Sequence, residues 1–202
     1  MADSKLLEYV LHGREERNLE YKGSINWKDV EVKVKITKAI LGMANIIDGG
    51  TIVIGVEQEG EKFTPKGLSD EEFESFKQDD IAEHVGNFSE PFVEIKVTGV
   101  KDDNRKFVFI QIKEFSETPI ICKRDSEAGG VRLREGAIYT RPYTKTETSE
   151  VRTYFEMREI TESAADKNMR TLFSRMKRVN ISELIITEAT DESRFDEQLD
   201  GL

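Results

Sequence analysis

The chain has 202 residues, of which 37% are hydrophobic and 35% charged, and its formal net charge is -10. That length suits one domain plus an appendage, and no apolar run approaches the ~20 residues that a bilayer-spanning helix needs. A single cysteine, Cys122, excludes an internal disulfide, and the two histidines lie far apart along the chain, against a His/Cys zinc site.

The opening MADSKLLEYVLHG lacks the basic-then-apolar layout of a signal peptide, so a cytoplasmic protein is expected. The acidic total argues against a nucleic-acid partner, but its distribution does not. Glu183, Glu188, Asp191, Glu192, Asp196, Glu197 and Asp200 crowd the last stretch against Arg194 alone. Between Lys123 and Lys145 the balance reverses, with Lys123, Arg124, Arg132, Arg134, Arg141 and Lys145 facing Asp125, Glu127 and Glu135. Phosphate contacts act within a Debye length, so the local field counts for more than the total.

Leu6, Leu7, Val10 and Leu11 have helical spacing over residues 4–12, and Gly13 ends that helix. LEYK, residues 19–22, alternates apolar and charged side chains and reads as extended, which puts Glu20 and Lys22 on one side. Residues 29–45 read as a helix, despite the strand-like alternation of VEVKVKI near its start. TIVIGV, residues 51–56, is an apolar strand suited to a central position buried on both faces, entered through the corner Asp48-Gly49-Gly50. A polar connection over residues 57–67 leads to a helical region over 70–85. FVEIKVTGV and KFVFIQIKEF then form a hairpin around Asp102–Asn104. TPIICK and GAIYTR are further strands, separated by a turn over residues 127–130.

A helix over residues 146–159 is followed by a separate charged helix over 161–180. Met169, Leu172, Phe173 and Met176 line one side of the latter, the pattern of a docking or homo-oligomer face. The fold class expected is α+β (mixed α/β), with a mixed, largely antiparallel sheet flanked by helices. Three regions follow: a domain over residues 1–160, the helix over 161–180, and an acidic, weakly ordered tail over 181–202.

The chemistry-bearing residues are Glu15, Glu20, Lys22 and Asp48. Carboxylates that converge can hold Mg²⁺ or Mn²⁺ through oxygen, and such an ion activates water for phosphodiester cleavage while a lysine neutralises a phosphate oxygen. Glu15 joins the other two only if the chain bends through residues 16–18. The plain alternative is a surface salt bridge between Glu20 and Lys22. Asp48-Gly49-Gly50 likewise has two readings, a tight turn or a corner where main-chain N–H groups meet phosphate. Arg132, Arg134, Tyr139 and Arg141 alternate with apolar residues, so that arginines could grip phosphates and Tyr139 stack on a base. Lys123 and Arg124 extend that track, and a solvated edge strand explains the pattern equally well. With no G-x-x-x-x-G-K-[ST] loop, a Walker-type ATPase is not expected.

The order of these motifs resembles the Schlafen AlbA-like domain family: Glu15 five residues before Glu20, then LEYK, MANIIDGGTIVIGV, the paired strands, TPIICK and GAIYTR, over about residues 6–155. The resemblance implies nucleic-acid binding, with RNA favoured over DNA. By likeness to Schlafen proteins that cut transfer RNA, it also implies a divalent-metal endoribonuclease centre at Glu15, Glu20 and Asp48, with Lys22 beside it. It carries an association with ATP binding, with defence, and with pairing of two lobes, which a homodimer would reproduce here. Other members act as non-catalytic DNA-binding or regulatory modules, so catalysis remains an open alternative to binding.

Overall fold

The computed structural model describes residues 2–60 and 62–178. In chain order the elements are α1 (Ala2–His12), β1 (Leu19–Lys22), α2 (Val30–Ala44), β2 (Gly50–Ile54), β3 (Val56–Glu59), β4 (Lys62–Pro65), α3 (Asp70–Ser75), α4 (Gln78–Gly86), β5 (Ser89–Glu90), β6 (Ile95–Asp102), β7 (Arg105–Ile112), β8 (Ile121–Cys122), β9 (Ser126–Ala128), β10 (Val131–Leu133), β11 (Tyr139–Thr140), β12 (Ser149–Glu150) and α5 (Tyr154–Arg178).

A four-stranded sheet in the order β1-β2-β7-β6 organises the chain. β1 runs parallel to β2, with Leu19 opposite Thr51 and Lys22 opposite Ile54, and the other two pairings are antiparallel. The fold is thus mixed α+β with a largely antiparallel sheet and a C-terminal helix, as the sequence leads one to expect. The parallel pair requires the crossover that α2 supplies. β2 lies inside the sheet and is buried on both faces, which is why its sequence is continuously apolar. Ile52 and Ile54, with Val108 and Ile110, face the α2 side; Val53, with Phe107 and Phe109, faces Leu6 and Val10 of α1. Period-two alternation therefore divides one sheet between two cores.

The VEVKVKI stretch is helical as expected, within α2, whose buried side includes Val34, Ile36, Ile40 and Leu41, but several other local readings change. Residues 57–67 hold the hairpin β3–β4 instead of an open connection, and Gly55, at φ 106, separates β3 from β2. The helical region over 70–85 breaks into α3 and α4 at Phe76–Lys77; α3 is started by a full capping box between Ser69 and Glu72. Residues 127–130, read as a turn, carry the end of β9 and the link to β10. The largest difference is α5. It runs unbroken from Tyr154 to Arg178, across the division expected near residue 160, because Ile160 is buried against the main core and holds the two halves in line. The expected tail over residues 181–202 lies outside the described residues.

The Gly-Gly corner serves the chain itself. A Cβ on Gly49, whose φ is 66, would stand 2.1 Å from the Ile112 carbonyl oxygen, and one on Gly50 would stand 2.6 Å from Met43 Sδ. Gly49→Ala should therefore destabilise the protein by more than the ~1 kcal/mol of a tolerated glycine replacement, because left-handed strain adds to a collision with backbone. A thermal melt of the variant checks this, and an unchanged midpoint would contradict it.

Candidate functional site

On β1, Leu19 and Tyr21 enter the α1-side core, so the intervening Glu20 and Lys22 emerge on the α2 side. They open into a cleft of about 380 Å³ that Glu15, Lys35, Lys38 and Thr148 also line. Glu20 is held by two cations, Lys22 Nζ at 2.5 Å and Arg141 Nη1 at 3.1 Å. Arg141 is 1% exposed, so this ion pair is largely withdrawn from water. Burial pulls its guanidinium below the ordinary arginine value, while the charges of Glu20 and then Glu15 oppose that shift. Glu15 turns inward through a single contact: its Oε1 accepts a hydrogen bond from the Tyr21 backbone N–H at 3.0 Å. The bend that Glu15 needs is made, since Glu16 and Leu19 bond to each other through N–H and C=O in both directions.

Asp48 is elsewhere. It sits exposed at φ 65, its N–H donates to Glu114 Oε2 at 3.1 Å, and it lines a different cleft, against α5. The register gives the reason. Glu20 is level with Ile52 and Lys22 with Ile54, further up the sheet than the corner that precedes β2. Among the described residues no group of three or more His, Cys, Asp or Glu side chains is placed to hold a metal ion. With Glu20 engaged by two cations and Asp48 in another cleft, the residues as arranged do not fit a three-carboxylate metal centre.

The basic track divides in two. Arg132 and Arg134 are exposed and line a second cleft, of about 700 Å³, together with Lys145, Arg152 and Tyr139. Arg134 also pairs with Glu150. Tyr139 and Arg141, which share the same alternation in sequence, lie inside. Tyr139 is 3% exposed; its hydroxyl accepts from the Arg134 N–H at 2.8 Å, so it braces a strand and is not open to stack on a base. Lys123 and Arg124 are exposed but outside both clefts, and Lys123 pairs with Glu90 at 3.4 Å. The two clefts meet at Lys38 and Thr148, which line both, and a third cleft shares Lys22 and Lys35 with the first. Lys35 and Lys38 are the functional candidates that motif reading passes over. Their spacing on α2, opposite its apolar positions, is the signal that marks them.

One more residue frames the site. Arg17 donates through Nε to the Arg141 carbonyl, pairs with Glu159 of α5 at 2.7 Å, and lies 3.8 Å over the Tyr143 ring. It ties the wall of the cleft to the C-terminal helix.

The family model described as Schlafen, AlbA_2 matches residues 15–148. The chain belongs to the Schlafen AlbA_2 family. The matched stretch opens at Glu15 and closes at Thr148, both of which line the first cleft, while α5 lies beyond it. No curated protein matches the chain. Among solved structures it is similar to the DIP2311 protein from Corynebacterium diphtheriae, at 11% identity and TM-score 0.49, over 77% of this chain and 27% of that one. The chain thus spans about a quarter of that protein's length. It is also similar to the N-terminal domain of a RecG-related protein from Nitrosomonas europaea, at 20% identity and TM-score 0.47, over 64% of this chain and 85% of that one. No helix among the described residues of this Schlafen AlbA_2 protein is long and apolar enough to cross a membrane. Of its histidines, His84 packs edge-on against Trp27 at 5.5 Å, and burial lowers its pKa. Cys122 is buried and its thiol pKa is raised by that burial, the state of an inert thiol.

Proposed function

We propose that this protein is a nucleic-acid-binding module whose contact surface is the groove formed by the joined clefts. The observation that carries this reading is the sharing of Lys22, Lys35 and Lys38 between neighbouring clefts. Cations from β1, α2, β10 and the segment before α5 thereby face one continuous concavity on a chain that is acidic in total. A phosphate backbone laid along it would meet Lys35, Lys38, Arg132 and Lys145 in turn, and each contact formed would release counterions. RNA is the favoured ligand over DNA, on the family resemblance.

Fluorescence anisotropy with labelled single-stranded RNA, and DNA of the same sequence, tests the reading. Binding should weaken with salt. Lys38→Ala and Arg132→Ala should each lower affinity across sequences and reduce the salt slope by ~0.7–0.9. Equal affinity for the wild type and both variants would remove the groove from consideration.

A second reading, metal-dependent endoribonuclease, is supported by the convergence of Glu15, Glu20 and Lys22 in one cleft. It requires Lys22 or Arg141 to give up Glu20 before an ion could take its place. Incubation with transfer RNA and Mn²⁺ decides it: the wild type should cut and Glu15→Gln should not, since glutamine keeps the oxygen that caps Tyr21 but not the charge. Cleavage by neither protein, or by both equally, leaves the binding reading alone.

A further inference from the structure

α5 carries an open side along its whole length. Ile160 sits in the main core and Lys167 turns inward, to Glu114 at 2.9 Å and the Phe115 carbonyl at 2.6 Å. The turn of the helix therefore directs Phe155, Arg158, Ala165, Met169, Leu172 and Met176 away from the domain. Tyr154, Phe155, Met169, Leu172 and Phe173 are each half exposed or more, so apolar surface lies open near both ends of the helix. α5 lies beyond residues 15–148, so the matched family stretch does not include this face.

Charge on α5 is divided between its halves. Up to residue 166 the helix carries Glu156, Glu159, Glu162 and Asp166 against Arg158; from there to residue 178 it carries Lys167, Arg170, Arg175, Lys177 and Arg178 and no acidic residue. One flank of the open side shows the division: Glu159, Glu162 and Asp166 are followed along it by Arg170 and Lys177. Glu159 holds Arg17 and Glu162 holds Arg158, while Asp166, Arg170 and Lys177 enter no ion pair among the described residues. Exposed Ile47 and Asp48 line a cleft of about 600 Å³ together with the same flank.

We propose that α5 pairs antiparallel with α5 of a second copy, with the two-fold axis near its middle turn. In that arrangement the same flank of each helix adjoins. The acidic run of one copy then meets Arg170 and Lys177 of the other, and the two-fold axis repeats the contact. Tyr154 and Phe155 at the start of one helix lie against Leu172 and Phe173 of the other. Burial of these side chains supplies the affinity, and the charges fix the direction. A parallel pair sets like halves together. A nucleic acid or an anionic membrane answers the second half and is repelled by the first. A copy of this chain run in reverse satisfies both halves and the apolar surface they share. The inference goes beyond the nucleic-acid reading and does not depend on it.

Sedimentation velocity of the full chain, without nucleic acid and over a wide range of protein concentration, tests it. The expected result is a monomer that passes to a dimer as concentration rises. Leu172→Asp, at an exposed position, should hold the protein monomeric throughout, with its far-UV circular dichroism unchanged. Arg170→Glu with Lys177→Glu should weaken the dimer about tenfold or more, because both halves of the flank are then acidic. Adding Glu162→Lys and Asp166→Lys to that pair should restore the dimer, since the division is rebuilt with its signs exchanged. A parallel dimer would show neither the loss nor the recovery. Three results would overturn the proposal: a monomer at every concentration, a dimer that Leu172→Asp leaves intact, or charge substitutions that do not first weaken and then restore it.

Discussion

Glu20→Ala is expected to cost ~3–5 kcal/mol of folding stability, the usual loss when one member of a buried pair is removed. The carboxylate is the nearest counter-ion of a guanidinium that is 1% exposed, and its loss leaves Arg141 and Lys22, two like charges, with Glu15 as the remaining opposing charge. Urea denaturation at neutral pH reads the loss directly. Arg141→Met alone should cost less, because the remaining carboxylate keeps Lys22 and its side chain is nearer water. Joining Glu20→Leu to Arg141→Met should recover most of the stability, since two apolar side chains bury without a charge to neutralise. A fully stable Glu20→Ala protein would show that Arg141 finds another partner or reaches solvent. The prediction also bears on the nuclease assay. Loss of cleavage in Glu20→Ala would confound a missing ligand with a loosened fold, which is why Glu15→Gln is the cleaner probe.

The second large effect is expected at Asn45, where α2 ends. Its side chain is buried, and it donates to the Ile120 carbonyl at 2.8 Å and the Tyr139 carbonyl at 2.9 Å while accepting from the Ile120 N–H at 2.8 Å. One amide thus stitches the helix to two chain segments that meet it from far away in sequence. Asn45→Ala would leave three backbone groups without that partner, each costing ~1–3 kcal/mol if it stays dry. A total of ~3–5 kcal/mol is expected, since relaxation and water recover part of the sum. Thermal or chemical denaturation measures it. Asn45→Asp should fare little better, because it keeps the acceptor but loses both donors and adds a charge.

Asn45 also shows what a sequence can disclose. A helix end is a local event, and both the end and its capping role are readable there. The Asn45 N–H does bond back to the Gly42 carbonyl, and the Ile46 N–H to the Met43 carbonyl. What its side chain reaches is not local, and nothing near residue 45 announces Ile120 or Tyr139. The same contrast runs through the site. Alternation in LEYK puts Glu20 and Lys22 on one side, and they open into one cleft. Alternation in GAIYTR puts Tyr139 and Arg141 on one side too, but period two cannot say whether that side meets water or core. It meets core, because a carboxylate from β1 arrives to neutralise the arginine. Asp48 fails for a related reason: closeness in sequence to a strand says nothing of which end of the neighbouring strand it serves. The continuity of α5 was hidden because its exposed, charged turns outweigh the single buried Ile160.

Arg17 binds the cleft wall with one edge and the C-terminal helix with the other, through Arg141 and Glu159. A guanidinium is planar and rigid, so the two attachments share one small hinge plate. Load applied at the far end of α5 meets the inward contacts of Lys167 with Glu114 and Phe115 and then that plate. From there it passes to the backbone of residue 141, one bond network away from Glu20. The helix is in this sense a lever whose short arm ends in the groove.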